Sequence, residues 1–209
     1  MARYRKAVCR LCRREKEKLF LKGEKCVTEK CTLSRRAYPP GQHGQARRIK
    51  LSNYGLQLRE KQKVKRMYGV LEKQFRRYFH IAAKSKGVTG KTLLQLLERR
   101  LDNVILRSGF GLSHAQSRQI VRHNFVYVNS KRVNIPSFSV KNGDAINIKT
   151  TEQSKKFINA NIELTKDRDV PGWLEVEKNK FEIKVMRLPE KEDIQQPIQE
   201  QLIVELYSK

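Results

Sequence analysis

The chain has 209 residues, 46 Lys+Arg against 21 Asp+Glu, a formal net charge of +25 and four cysteines. That length holds one or two modest domains, and an aromatic fraction of 8% points to small cores. Self-repulsion of this size opposes compaction, so a polyanionic partner is expected. No long apolar run and no strongly amphipathic terminal helix is visible, which favours nucleic acid over a membrane. The charge is uneven: residues 1–150 hold 36 basic and 9 acidic side chains, residues 151–209 hold 10 and 12. Met1-Ala2-Arg3-Tyr4-Arg5-Lys6 leads into cysteines and charge, not into an apolar segment. An intracellular, reducing compartment is therefore expected.

Residues 1–45 are basic, poor in aliphatics, and carry Cys9, Cys12, Cys26 and Cys31 in the spacing C-x2-C-x13-C-x4-C. Two close pairs separated by a loop let four thiolates converge on one tetrahedral ion, and flanking cations favour the thiolate. A structural zinc is the first reading, and an iron–sulfur cluster stays open as the alternative. Tyr38–Gly44 is a Pro/Gly linker that cannot be helical. A helix is predicted from Ser52 to near Gly69, with Arg59, Lys63 and Arg66 at i, i+4, i+7 forming a basic stripe. A second is predicted over about 72–86. A third runs from about Thr92 through Ile105 and stops at Gly109 and Gly111. Gly87-x-x-Gly90-Lys91-Thr92 lacks the spacing of a phosphate loop and reads as a loop and N-cap.

The stretch Leu112–Val133 is the richest in signal. Ser113 and Gln116 suit a capping box. On the helix that follows, Ser117, Ile120 and Val121 share the inner face, while Ala115, Arg118, Gln119 and Arg122 share the outer one. Val126–Val128, a turn at Asn129-Ser130, and Lys131–Val133 read as a hairpin. A helix with an arginine- and amide-rich face followed by a basic hairpin is a compact surface for phosphates and base edges. Lys141–Asp144 turns into a strand at Ala145–Ile148. A helix (about 154–164), a hairpin (173–176 with 181–185), an acidic loop and a final strand (202–207) complete the chain. His43, His80, His114 and His123 pair with no nucleophile at a catalytic spacing, so no enzyme site is expected.

E-x-R-L-D-N-V-I-L-R-S-G-F (98–110), S-x-x-Q-S-R-Q-I-V-R-H (113–123), V-N-S-K-R-V (128–133) and N-G-D (142–144) resemble the small RNA-binding module of small-subunit ribosomal protein four. Y-P-P-G-Q-H-G (38–44), L-R-E-K-Q-K (58–63), Y-G-V (68–70), Q-F-R (74–76) and the terminal L-I-V-E-L-Y-S-K extend the likeness to the bacterial form of that family over nearly the whole chain. The cysteine quartet resembles that of members with a zinc site. Asn129-Ser130 stands where Asn-Gly would be expected.

The resemblance implies an α+β protein. Its parts would be a zinc-knuckle arm (1–45), a basic helical region (46–91), an inserted helix-helix-hairpin RNA-binding module (92–150) and a β/α extension (151–209) packing on the helical region. It implies a primary binder of 16S ribosomal RNA that nucleates assembly of the small-subunit body and contributes to decoding accuracy on the cytoplasmic ribosome. Small-subunit proteins five and three, and messenger RNA where it enters the subunit, are the implied neighbours; repression of its own operon is a family trait the sequence does not decide. Residues expected to touch RNA are Arg3, Lys6, Arg35, Arg36, His43, Arg47, Arg48, Arg59, Lys63, Arg66, Ser113, Gln116, Arg118, Gln119, Arg122, His123, Lys131 and Arg132. Recognition by shape and phosphate is expected, because protein cannot read the deep A-form major groove. The alternatives are an accessory module of a pseudouridine-synthase-like enzyme, which would need a larger catalytic domain, or another nucleic-acid-binding regulator.

Overall fold

The computed structural model describes residues 3–46, 50–149, 151–194 and 196–208. The chain divides into two units, residues 1–93 with 197–209, and residues 94–196.

In the first unit, helix α1 (Cys9–Glu15) ends at Lys16, whose φ of 61° turns the chain away. A 3-10 turn (Gly23–Cys26) and a short α2 (Thr32–Arg35) complete the cysteine arm. Helix α3 (Asn53–Met67) starts where Ser52 Oγ accepts the Gly55 N–H at 3.2 Å, supplying one of the acceptors a helix start lacks. Helix α4 (Glu72–Lys84) buries Phe75, Phe79 and Ala82 at helical spacing. Helix α5 (Thr89–Glu98) starts at Thr89, so Gly90 and Lys91 lie in the helix and not in the loop expected there. A Cβ on Gly90 would stand 2.5 Å from Glu200 Cγ, so glycine is what lets the two segments approach.

The expected final strand is a helix instead, α9 (Glu200–Tyr207). Ile203 and Tyr207 fall at i, i+4, and that face lies on apolar groups which outweigh the β-propensity of Ile203-Val204. Ile203 is fully buried, and the Tyr207 ring stacks on Phe79 with centroids 4.5 Å apart. Gln57 Nε2 donates to Glu205 at 2.7 Å. Tyr207 Oη donates to Glu72 at 2.9 Å, and Lys61 and Lys65 reach the same carboxylate at 2.8 and 2.9 Å.

The second unit contains the end of α5, then α6 (Leu101–Arg107), α7 (His114–Arg122), β1 (Val126–Val128), β2 (Lys131–Arg132), β3 (Ala145–Ile148), α8 (Glu152–Leu164), β4 (Leu174–Glu177) and β5 (Glu182–Val185). The long helix expected from Thr92 through Ile105 is broken at Arg100, which is extended (ψ 136°). Residues 136–140 run alongside the break: Leu101 N–H donates to Phe138 O and Val140 N–H to Arg99 O, both at 2.9 Å. Apolar spacing continues through the break, which is why periodicity alone does not reveal it.

The strands form one antiparallel sheet in the order β2-β1-β3-β5-β4. Its inner residues Val126, Val128, Ile146, Ile148, Ile183 and Val185 join Leu101, Ile105, Ile120, Val121 and Trp173 in one core. Burying each such aliphatic side chain contributes about 1.5–3 kcal/mol. The hairpin β4–β5 therefore completes the module's sheet, and only residues 197–209 join the helical unit. This corrects the expectation that all of 151–209 packs on the helices: strands β1–β3 offer an open edge at β3, and β5 pairs there. No helix among the described residues is long and apolar enough to cross a membrane.

Burial pushes the Glu72 carboxyl upward, but hydrogen bonds from Lys61, Lys65 and Tyr207 outweigh it and hold it at about 2, against an ordinary 4.5. A depressed carboxylate stabilises above its unfolded pKa, and that contribution is lost as pH falls through the folded value. We expect α9 to loosen between about pH 4.5 and pH 2, read as loss of hydrogen-exchange protection in 200–207. Glu72→Gln should remove most of this dependence; protection that falls identically in both proteins would place the effect elsewhere.

Candidate nucleic-acid interface

Helix α7 carries the first group of candidates. Ser113 Oγ accepts the Gln116 N–H at 3.4 Å, as expected of a cap. The reciprocal bond differs from a capping box: Gln116 Oε1 accepts from Leu112 N–H at 2.6 Å, and its Nε2 donates to Asn161 Oδ1 at 3.0 Å. Ser113 and Gln116 thus hold the start of the helix and are engaged inside the protein.

Arg118 is the clearest departure from the sequence reading. Its side chain is 8% exposed and its Nη1 lies 3.4 Å from Asp102 Oδ2. Arg100 grips the same carboxylate with Nε at 3.0 Å and Nη2 at 2.6 Å. Position 118 falls on the row of His114 and Val121, which face inward, whereas Ala115, Gln119 and Arg122 form the exposed row. The wheel ambiguity is about one residue wide, and only the location of Asp102 resolves it. His114 shares this inner side. Burial, with Arg107, Arg100 and Arg168 adding to it, pushes its imidazole down to about 3, so it stays neutral.

Arg122 and His123 are exposed at the end of α7, where Asn124 (φ 66°) turns the chain into β1. Lys131 and Arg132 are exposed on β2. The turn between β1 and β2 contains Asn129 and Ser130 with φ of 48° and 66°, the two-residue type that matches strand twist. Tyr127 stands opposite Arg132, and Lys149 Nζ lies 4.8 Å from the Tyr127 ring centroid. The Lys149 N–H donates to Phe125 O at 2.8 Å, which brings this lysine beside the end of α7. The sequence reading did not single out Lys149, although the alternation of β3 extended by one residue points it outward with Asn147.

The basic stripe of α3 also differs from expectation. The Glu15 side chain is 3% exposed and accepts from Arg59 Nη1 at 3.4 Å and from Arg66 Nη1. Lys63 Nζ meets Glu60 at 2.9 Å, Glu17 at 3.5 Å and Pro197 O at 3.0 Å. Arg59, Lys63 and Arg66 therefore fasten the cysteine arm and the returning chain onto α3. The stripe is real, but its ligands are internal carboxylates. The open cationic row of this unit is on α4, where Lys73, Arg76, Arg77, His80 and Lys84 are exposed at helical spacing. The same i, i+3, i+4, i+7 test used for α3 finds it.

In the arm and linker, Arg3, Lys6, Arg35, Arg36 and His43 are exposed; Arg47 and Arg48 lie outside the described residues. Arg13 Nε donates to Tyr38 O at 3.0 Å, tying α1 to the Pro/Gly linker. Cys12, Cys26 and Cys31 are buried, Cys9 is half-buried, and all four are free thiols. Burial raises Cys12 and Cys26, and the neighbouring thiols push both the same way. The Lys22 N–H donates to Cys26 Sγ at 3.3 Å. Burial also acts to raise Cys31, but backbone N–H groups of Leu33 and Ser34 outweigh it and lower that thiol. Among the described residues no three His, Cys, Asp or Glu side chains are grouped closely enough to hold a metal ion.

A family profile described as ribosomal protein S4/S9 N-terminal domain matches residues 3–98, and one described as S4 domain matches residues 99–146. The chain is 58% identical over 209 residues to small ribosomal subunit protein uS4 of Thermodesulfovibrio yellowstonii. It is 57% identical to the proteins of that name from Thermoanaerobacter pseudethanolicus and Geobacter sulfurreducens. Each match covers 100% of both chains.

Arg118 and Arg122 should separate cleanly. Truncating the buried Arg118 opens space and takes one hydrogen bond from Asp102, which stays paired with Arg100, a loss of about 1–3 kcal/mol, whereas an exposed arginine usually costs under about 0.5. Arg118→Ala is expected to lower urea stability by that larger amount while Arg122→Ala leaves it unchanged. Equal losses would remove the distinction between the two sides of α7.

Proposed function

The chain belongs to the family of small ribosomal subunit protein uS4, and on that premise we propose that it binds 16S ribosomal RNA and nucleates assembly of the small-subunit body. It is a structural ribosomal protein and not an enzyme. Its place is on the cytoplasmic ribosome. The observation that carries RNA binding is the asymmetry of the module: carboxylates Glu98, Asp102 and Asp144 are turned inward, and Arg122, Lys131, Arg132 and Lys149 face out. Phosphates meet cations there with no adjacent acid on the same segments. The exposed α4 row supplies a second basic surface. A junction where several RNA helices meet suits two separate surfaces better than a single duplex does.

Each phosphate contact contributes about 0.7–0.9 to the slope of log affinity against log salt. Arg122→Ala and Lys131→Ala should each reduce that slope by about one on a 16S ribosomal RNA fragment, with little dependence on base sequence. Arg118→Ala, compared where it is folded, should leave the slope alone. A parent-like slope in the Arg122 and Lys131 variants would reject the module face as the RNA surface.

Contact with small-subunit proteins five and three, proximity to messenger RNA where it enters the subunit, and a contribution to decoding accuracy complete the reading. For a basic protein neighbour, Glu190 and Glu192 are exposed on the loop before Pro197, the Glu190 side chain also accepting the Asp193 N–H. Asp193 is engaged within the chain, bidentate to Arg187 at 2.7 Å.

Cys9, Cys12, Cys26 and Cys31 are assigned as the ligands of one structural zinc. Four free thiols in one arm, in two pairs close along the chain and with backbone N–H groups already directed at Cys26 and Cys31, are the donor types such an ion takes, and binding would have to draw them together. Bound zinc would supply the organising contacts that the arm's few aliphatic side chains do not. Elemental analysis should find one zinc per chain, lost in Cys9→Ser together with protease resistance of residues 3–46. Iron with a visible absorption band in anaerobically purified protein would replace zinc by a cluster, and a metal-free, protease-resistant arm would reject both.

A further inference from the structure

The turn at Asn129-Ser130 places two residues other than glycine in the left-handed region, φ 48° and 66°. Asparagine tolerates this because its side chain bonds locally; serine has less to offset the strain. The turn is held from outside itself. Asn129 Nδ2 donates to Asp144 Oδ1 at 2.8 Å, Asn129 Oδ1 accepts from Ala145 N–H at 3.0 Å, and Asn129 N–H donates to Ala145 O at 2.8 Å. Asp144 is fixed in turn. Its Oδ2 accepts from Lys141 N–H at 2.7 Å, and its carbonyl accepts from Val185 N–H at 3.1 Å.

An unbroken path thus runs from β5 through Asp144 and Asn129 to the residues that start β2. Asp144 is 9% exposed, and both its carboxylate oxygens are engaged by donors. It stands next to the cationic hairpin without presenting a free anion to compete with phosphate.

Resting on the reading of the module as an RNA-binding surface, we propose that Asp144 is a positioning residue for RNA binding: it locks the Asn129-Ser130 turn and so presents Lys131 and Arg132 as a fixed pair of cations. The lock does for this chain what a glycine at position 130 would do by conformational freedom alone. Without it, β2 keeps its charges but loses their spacing.

The test measures affinity for a 16S ribosomal RNA fragment, its salt slope, and urea stability of the full-length protein. Asp144→Ala should weaken RNA binding about tenfold and lower the slope by about one. Adding Ser130→Gly to it should restore most of both, because glycine adopts the turn unaided. Lys131→Ala/Arg132→Ala should weaken binding at least as much, and Ser130→Gly should not rescue it. Parent-like affinity in Asp144→Ala, or a defect that Ser130→Gly leaves in place, overturns the positioning role. If Asp144→Ala does not fold, the same comparison is made on Asp144→Asn, whose single side-chain oxygen can keep only one of the bonds from Asn129 Nδ2 and Lys141 N–H, with the same two results deciding. Parent-like binding by the Lys131/Arg132 variant would instead reject the RNA surface itself.

Discussion

The structure depends on where its scarce carboxylates go. Residues 1–150 contain nine acids among thirty-six basic side chains, and seven of the nine are engaged inside the protein. Glu15 joins the arm to α3, Glu17 and Glu60 hold Lys63, and Glu72 collects two lysines and a tyrosine. Glu98 pairs with Arg107 and Asn103, Asp102 with Arg100 and Arg118, and Asp144 with Asn129. A buried cation needs a partner or it destabilises the fold. Once the acids have met that need, few remain to dilute the exterior. Internal pairing and a predominantly cationic exterior over residues 1–150 are two outcomes of one distribution.

The same distribution explains which parts of the fold and of the site were readable in advance. The helix starts at Ser52 and Ser113, the inner face of α7 at Ser117, Ile120 and Val121, and the two-residue hairpin turn depend on neighbours within a few positions, and these stand as read apart from the reciprocal bond of Gln116, which goes to Leu112. Arg118, Arg59, Lys63 and Arg66 each have a partner 16 to 134 residues away, Lys63 in addition to its local pair with Glu60. Local spacing assigns such residues to a face, and it cannot say whether an acid from elsewhere already occupies that face. The split between α5 and α6 and the helical form of 200–207 were hidden for the same reason. In the first, a passing segment bonds the backbone at Arg99 and Leu101; in the second, distant aromatic rings select one period over another.

The two units solve stabilisation differently. Residues 94–196 close a conventional apolar core around Trp173, with the sheet covering α6 and α7 on one side. The helical unit has fewer buried aliphatics and leans on charge-assisted bonds of about 2.7–2.9 Å along α3. Hydrogen bonds to charged groups are worth about 1.5–3 kcal/mol each, more than neutral ones, but they weaken with acid and salt. The unit built on them is accordingly the one whose stability responds to solution conditions.

Because α9 is contributed by the last residues of the chain, the helical unit is discontinuous. During synthesis, residues 94–196 are complete before Ile203 and Tyr207 exist. The face of Phe75 and Phe79 that Tyr207 covers has no lid until then. Domains fold as units when their last element arrives. A face built early in translation is therefore covered late, after the whole of the middle of the chain has been made.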